Sequence, residues 1–376
     1  MPAVENVLVV GGGIAGAATA ILLAERGVSV DLVEVKPDVG VHGSGITLQG
    51  NALRVLQRLG VWPLAQRHGY SFDTLGLRAP DAHGTLLAVL DDVRTGGPEL
   101  PATMGMHRPT LARILLDRAR ETGAKVRFGT TYTALRQDDH GVVATMTDGA
   151  TTRYDLVVAA DGVRSPTRAA LGIELHTAAT GMGIWRAFAP RPAEVTRTDL
   201  YYGGPSYIAG YCPTGEDTLY AYIVEDAQDR SGLTPEQGLQ VMRRLSMAYH
   251  GPWDAIRESL TDPSMVNYTH FANHVLPAPW HRGRVVLIGD AVHTCPPTLA
   301  QGGAQALEDA AVLAELLLAA EVLTEQVWDD LIARRHARAT TVVQASMQLG
   351  AWLLAHERGD VPGLIARTTH LLCEPA

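Results

Sequence analysis

Three short apolar runs stand out along the chain: Val7 to Val10, Leu156 to Ala160 and Val285 to Ile288. Each is free of polar residues and runs into a glycine or an Asp-Gly turn. That pattern predicts parallel strands buried on both faces. Helical spacing follows the first run: Ala17, Ile21 and Ala24 share a face of a helix expected over Ile14 to Arg26, and Gly27 suits its C-terminal cap. A second strand, Val28 to Val33, then ends at Glu34. Leu111, Ile114 and Leu115 mark one face of another helix, and residues 74 to 90 read as a hairpin turning at DAHG. Between residues 198 and 226 the pattern changes to Tyr- and Ile-rich runs split by GGP and PTGED, which predicts a β-sheet. Alternation puts Tyr207, Ala209 and Tyr211 on one face of a strand, and Tyr220 and Tyr222 on one face of the next.

A chain of 376 residues suggests about two domains, and 46% apolar residues suffice for a sizeable core. The net charge of -9 argues against nucleic acid as a partner, because phosphate binding needs clustered Lys and Arg. Cys212, Cys295 and Cys373 are widely spaced, without a CxxC, so neither a disulfide framework nor a zinc site is expected. A reducing cytoplasm fits. No signal peptide is expected, and the most apolar helix, Ala311 to Val322, holds Glu315 and Glu321 and is too short to span a bilayer. His270 and His274 are four apart, but their stretch reads as a strand and lacks a third ligand, so no metal is expected.

Gly11, Gly13 and Gly16 form a GxGxxG between the first strand and its helix. Gly11 permits the tight turn, Gly13 lets backbone approach a pyrophosphate, and Gly16 lets the helix pack closely on the strand. The helix start, including Ile14 and Ala15, offers unpaired N–H groups and a partial positive charge to phosphate. Glu34, with Val35 and Lys36 beside it, stands 18 residues after Gly16, where a dinucleotide fold places an acid for ribose hydroxyls. A free 2'-hydroxyl, as in NAD or FAD, suits that acid.

Together the motifs GGGIAG, DGVRSPTR and GDAVHTCPP resemble those of the flavoprotein aromatic hydroxylases, typified by 4-hydroxybenzoate hydroxylase, from about Asn6 to about Leu318. The resemblance implies an α/β fold: a Rossmann-like FAD-binding domain, an inserted mixed β-sheet substrate domain and a C-terminal helix. The implied division is residues 1–72, 96–175 and 270–325 for FAD, 73–95 and 176–269 for substrate, and 326–376 for the helical segment. It implies that Asp290 contacts the ribityl or ribose region and that Asp161, with Gly162, Ser165 and Arg168, supports the FAD site in a motif linked to NAD(P)H binding. Arg108 would reach the FAD phosphates, Gly43 and Gly45 would allow close flavin approach, and Pro297 would lie along the ring. The helix starting near Gln301, with Gly302 and Gly303, would aim its N–H groups at the flavin's pyrimidine edge and stabilise negative charge there. Two departures stand out: the family's G-Q-G-x-N reads Ala300-Gln301-Gly302-Gly303-Ala304 here, and Lys36 replaces a common arginine.

The implied activity is an FAD-dependent monooxygenase. NADH or NADPH reduces the flavin, O2 adds to give a flavin hydroperoxide, and a small aromatic or heteroaromatic substrate is hydroxylated. With a single GxGxxG, the nicotinamide is expected to bind transiently. Tyr211 and Tyr222 lead the candidates for touching substrate, and Arg186 could pair with a substrate carboxylate or anionic oxygen. Two alternatives stay open: other flavin chemistry on the same fold, and a flavin-holding redox sensor or sequestering protein. Halogenation is disfavoured by the absence of a Trp-x-Trp-x-Ile-Pro motif. A monomer or homodimer, acting without nucleic acid or membrane, is expected.

Overall fold

A computed structural model describes residues 2–40 and 44–376. Gly43, expected near the flavin, lies outside the described residues.

The three apolar runs are neighbours in one six-stranded sheet. Its order is 281–282, 285–287, 156–159, 6–10, 29–34 and 125–128. All pairings are parallel except the one joining the first two strands, with Val7 opposite Leu156 and Val157 opposite Val285. Val7, Leu8 and Val9 have no exposed surface, as expected of strands covered on both sides. The first helix, Ile14–Ala24, packs between the helices Arg108–Glu121 and Gly302–Ala319, and Ala17, Ala20, Ile21 and Leu307 meet in the largest core.

A second, eight-stranded sheet draws on distant parts of the chain, in the order 293–294, 266–275, 178–190, 218–226, 208–213, 198–202, 74–78 and 86–91. One face is covered by the helices Pro235–Ser246 and Pro252–Ser259, which bury Trp185, Tyr201, Tyr211, Tyr249 and Trp253. The other face looks onto a small sheet of strands 45–49, 103–107 and 69–72. There the rings of His107 and Phe188 pack with centroids 4.4 Å apart. The boundary expected at residue 270 falls inside the strand Val266–Val275, which runs in the large sheet to its end. A long helix, Glu325–Leu354, then packs on both the Gly302–Ala319 helix and that strand, and the helix Val361–Cys373 folds back onto it. Among the described residues no helix is long and apolar enough to cross a membrane.

Candidate active site

Glycines explain how the three motifs come together. Gly11 adopts φ +105, and a Cβ there would collide with the Ala160 carbonyl beside Asp161. A Cβ on Gly16 would run into the Gly11 carbonyl. Gly289, at φ +63, lies so close to the first helix that its Cβ would sit 3.0 Å from that of Ala15. The turns at 11–16, 160–168 and 289–293 therefore touch. A Cβ on Gly13, by contrast, would meet nothing within 4 Å, which leaves open space over the turn. No side chain caps the Ile14–Ala24 helix, so the N–H groups of Ile14, Ala15 and Gly16 point into that space without intrahelical acceptors. Glu34 closes one end of the turn: its carboxylate accepts the Gly12 N–H at 2.8 Å and the Lys36 N–H at 2.9 Å. Its oxygens keep lone pairs for hydroxyl donors, while Val35 and Lys36 face solvent.

At the other end, the backbone around Asp290 is held from four directions. The Gly289 N–H donates to Asp309 Oδ2 at 2.8 Å, and His293 Nε2 donates to the same oxygen at 2.7 Å. The Asp290 carbonyl accepts from His274 Nε2 at 3.0 Å, and the Ala291 carbonyl from Arg168 Nη1 at 2.8 Å. Yet the Asp290 carboxylate takes no hydrogen bond from the described residues. Burial pushes its pKa up, opposed by the charges of Arg108 and His293. Arg108 opens its helix, donates its N–H to the Ser44 carbonyl at 3.1 Å, and has no carboxylate within ion-pair distance among the described residues. Asp161 is half-satisfied: Oδ2 accepts the Thr167 N–H at 2.9 Å, while the buried Oδ1 has no partner. An open turn with unpaired N–H groups, two carboxylates with free lone pairs and an unpartnered buried oxygen are what a polyhydroxylated dinucleotide such as FAD would satisfy.

Three of the expected site residues have side-chain surroundings that define their part in the site. Arg168 donates to the Ala291 and Val163 carbonyls, so it supports the site by bracing the Asp290 turn. The Gln301 side chain is fully buried and bonded to Gln49, Asn51 and Gln305, leaving only its backbone for a cofactor. What presses on Gly45 is the ring of Tyr220, so the lack of a side chain there makes room for that tyrosine. Pro297 sits exposed in a short turn, and Ala300 ends it at φ 53. That left-handed backbone explains why a glycine is usual at this position, at a cost of about 1 kcal/mol for alanine. No side chain caps the helix that follows, so Gly302 and Gly303 begin it with unpaired N–H groups.

His274 gives this turn a pH dependence. Burial lowers its pKa to about 4, so it is neutral: Nε2 donates to Asp290 and Nδ1 accepts from the Thr177 hydroxyl at 2.9 Å. The folded state binds fewer protons than the unfolded one between pH 4 and the ordinary value of 6.5. Stability therefore falls as pH drops through that window, by about 2–3 kcal/mol. Urea unfolding from pH 7 to pH 4 is expected to show this loss, and His274→Gln to remove most of it.

The large sheet divides the candidate substrate residues between its faces. Tyr211 lies on the helix-covered face, fully buried, with its hydroxyl donating to Asp199 Oδ2 at 2.7 Å. It is a core residue and does not face the cleft. Tyr222 lies on the opposite face, directly across from Arg186 on the neighbouring strand. Tyr220 shares that face, 3.4 Å from the Thr47 hydroxyl. Burial raises both phenols, Tyr220 to about 12 and Tyr222 well above its ordinary value, so each is a donor and not a base. Arg186 is half-buried and donates through Nη1 to the Thr269 hydroxyl at 2.6 Å. Among the described residues no carboxylate pairs with it, and burial, with Arg108 nearby, depresses its pKa. Tyr220 stands among the candidate tyrosines and His274 is weighed in the sequence only as a metal ligand; Thr269, Asp309 and Arg335 escape the sequence reading. The acid pair Glu308-Asp309 inside a largely apolar helix was the available signal for the last two.

Comparisons with known proteins accord with this geometry. A family model described as an FAD binding domain matches residues 5–349. A putative FAD-dependent monooxygenase of Bacillus subtilis is 31% identical over 321 residues, 83% of this chain and 84% of that protein. The 2-heptyl-3-hydroxy-4(1H)-quinolone synthase of Pseudomonas aeruginosa is 32% identical over 315 residues, 83% of this chain and 80% of its own length. Among solved structures, a 2-methyl-3-hydroxypyridine-5-carboxylic acid oxygenase superimposes with a TM-score of 0.82 at 24% identity, covering 97% of this chain and 96% of that one.

Proposed function

This chain belongs to the flavoprotein aromatic hydroxylases, FAD-dependent monooxygenases, and from that premise we propose that its substrate is a small aromatic or heteroaromatic anion gripped by Arg186. Bound FAD, reduced by NADH or NADPH, would activate O2 and supply one electrophilic oxygen to an electron-rich ring. The turn at Gly11 to Gly16 and Arg108 would hold the pyrophosphate, Glu34 and Asp290 the sugar and ribityl hydroxyls, and the N–H groups at 302–304 the pyrimidine edge. The single observation carrying the substrate class is Arg186: a recessed guanidinium in the cleft face of the sheet with no acidic partner among the described residues. An anionic oxygen or carboxylate there gains a charge-assisted bond, and a phenolate or enolate on the ring also raises its nucleophilicity. Tyr220 and Tyr222 keep their protons, so they orient the substrate by donating hydrogen bonds while Arg186 favours its ionised form. Ile184, Val224 and Phe271 line the adjoining part of that face and would exclude water. The Pseudomonas aeruginosa relative is named for a heteroaromatic product, a hydroxyquinolone. Three unpaired cysteines fit a reducing, cytoplasmic setting, and the net negative charge fits an enzyme acting without nucleic acid.

The test is a panel of hydroxypyridines, hydroxyquinolones and aromatic acids, each with a neutral ester or ether isostere. NADH and NADPH oxidation, hydroxylated product and peroxide are followed together. Coupled product is expected from anions only. Equal turnover of the isosteres would remove Arg186 from the reading. Bound FAD with no stimulated NAD(P)H oxidation would favour the sensor.

A further inference from the structure

We propose that Arg335, on the long helix Glu325–Leu354, is a positioning residue that sets both flavin-lining turns through Asp309 and Glu308. It has no exposed surface. Its Nε donates to Asp309 Oδ1 at 2.7 Å, Nη1 to Glu308 Oε2 at 2.8 Å, and Nη2 to Gln305 Oε1 at 2.8 Å. From these acids two arms run outward. Asp309 turns its other oxygen to the Gly289 N–H and to His293, which fixes the backbone immediately before Asp290. Glu308 accepts from Asn51 Nδ2 at 3.0 Å, and the same nitrogen donates to Gln301 Oε1 at 3.0 Å, which fixes the residue immediately before the Gly302 helix start. Arg338 closes the charge balance, donating to Glu308 twice at 2.8 Å. Neither arginine touches either turn directly.

A buried ion pair is weak as a source of stability, because desolvation offsets attraction; hydrophobic residues of like size often serve as well. Apart from Gln305 and Glu315 the helix carrying Glu308 and Asp309 is apolar, so an apolar solution was within reach. What the ions add is direction: they hold one N–H and one amide side chain in single orientations at the two turns on either side of Pro297. The burial of Asp309 would raise its pKa, but His293 and Arg335 overrule it and hold the carboxyl at about 2, so it remains an acceptor throughout the working range.

Arg335→Lys keeps the charge and loses the fork. It is expected to raise the FAD dissociation constant at least tenfold and to speed amide exchange at 289–293 and 301–304 at least tenfold in the flavin-free protein. Asp309→Asn should reproduce the effect at 289–293 with a smaller one at 301–304, and it serves if the lysine variant does not fold. Tyr211→Phe loosens a core remote from both turns and reports stability loss alone. If FAD affinity falls no further in Arg335→Lys and Asp309→Asn than in Tyr211→Phe at matched loss of Tm, or if the exchange at 289–293 is unchanged, Arg335 is a structural residue only and the proposal is overturned.

Discussion

Replacing Arg186 by methionine is expected to lower kcat/KM for an anionic aromatic substrate by roughly 10²–10³-fold, with FAD affinity unchanged. Removing one partner of a desolvated charge pair costs about 3–4 kcal/mol, and each 1.36 kcal/mol is tenfold in rate. The same change should leave Tm unaltered or raise it, because the guanidinium has Thr269 as its acceptor and, among the described residues, no acid to offset its burial. That combination separates a ligand-binding arginine from a structural one, whose loss would lower Tm and spare kcat/KM. Steady-state kinetics on an acid and its neutral isostere provide the check: the acid alone should suffer, and a parallel loss on both would mean that Arg186 only shapes the sheet.

The second large effect concerns two glycines three residues apart. Gly16→Ala places a methyl inside the Gly11 carbonyl, a backbone atom that cannot swing aside. The helix and strand must separate, at a cost of about 3 kcal/mol or more, and FAD uptake should be lost with the fold of the turn. Gly13→Ala meets nothing in the protein. Its flavin-free Tm should match the parent while FAD affinity drops by at least about tenfold, since the added methyl occupies space the pyrophosphate needs. Thermal melts with and without FAD, beside fluorescence titration, distinguish the two. If Gly13→Ala bound FAD normally, the open space over that turn would not be the phosphate site.

The nucleotide half was legible because its signals are local. An unbroken apolar run, a glycine at positive φ and a terminal acid each follow from the chain's own neighbours, and Val7–Val10, Gly11 and Glu34 all lie where the pattern puts them. The face of a strand that meets the cleft is not local. Alternation separates Tyr211 from its neighbours, but only the docking of the helices Pro235–Ser246 and Pro252–Ser259 decides that its side becomes core. A glycine likewise announces close approach without naming the visitor, which at Gly45 is Tyr220. Within the run ARRHAR at 333–338 nothing in the sequence marks which arginines are buried. Arg335 and Arg338 are buried because a facing helix carries two acids, and their pairing spans 26 to 30 residues.

The half-empty polar groups around the Gly11 and Asp290 turns carry a practical consequence for handling the protein. The unpartnered Oδ1 of Asp161 and the solitary carboxylate of Asp290 favour any state in which they find donors. By mass action, a ligand at a hundred times its dissociation constant adds about 2.7 kcal/mol to the folded form. Yield and shelf life should therefore track the riboflavin supply of the expression host, and a preparation stripped by dialysis should melt earlier than one topped up with the vitamin-derived nucleotide.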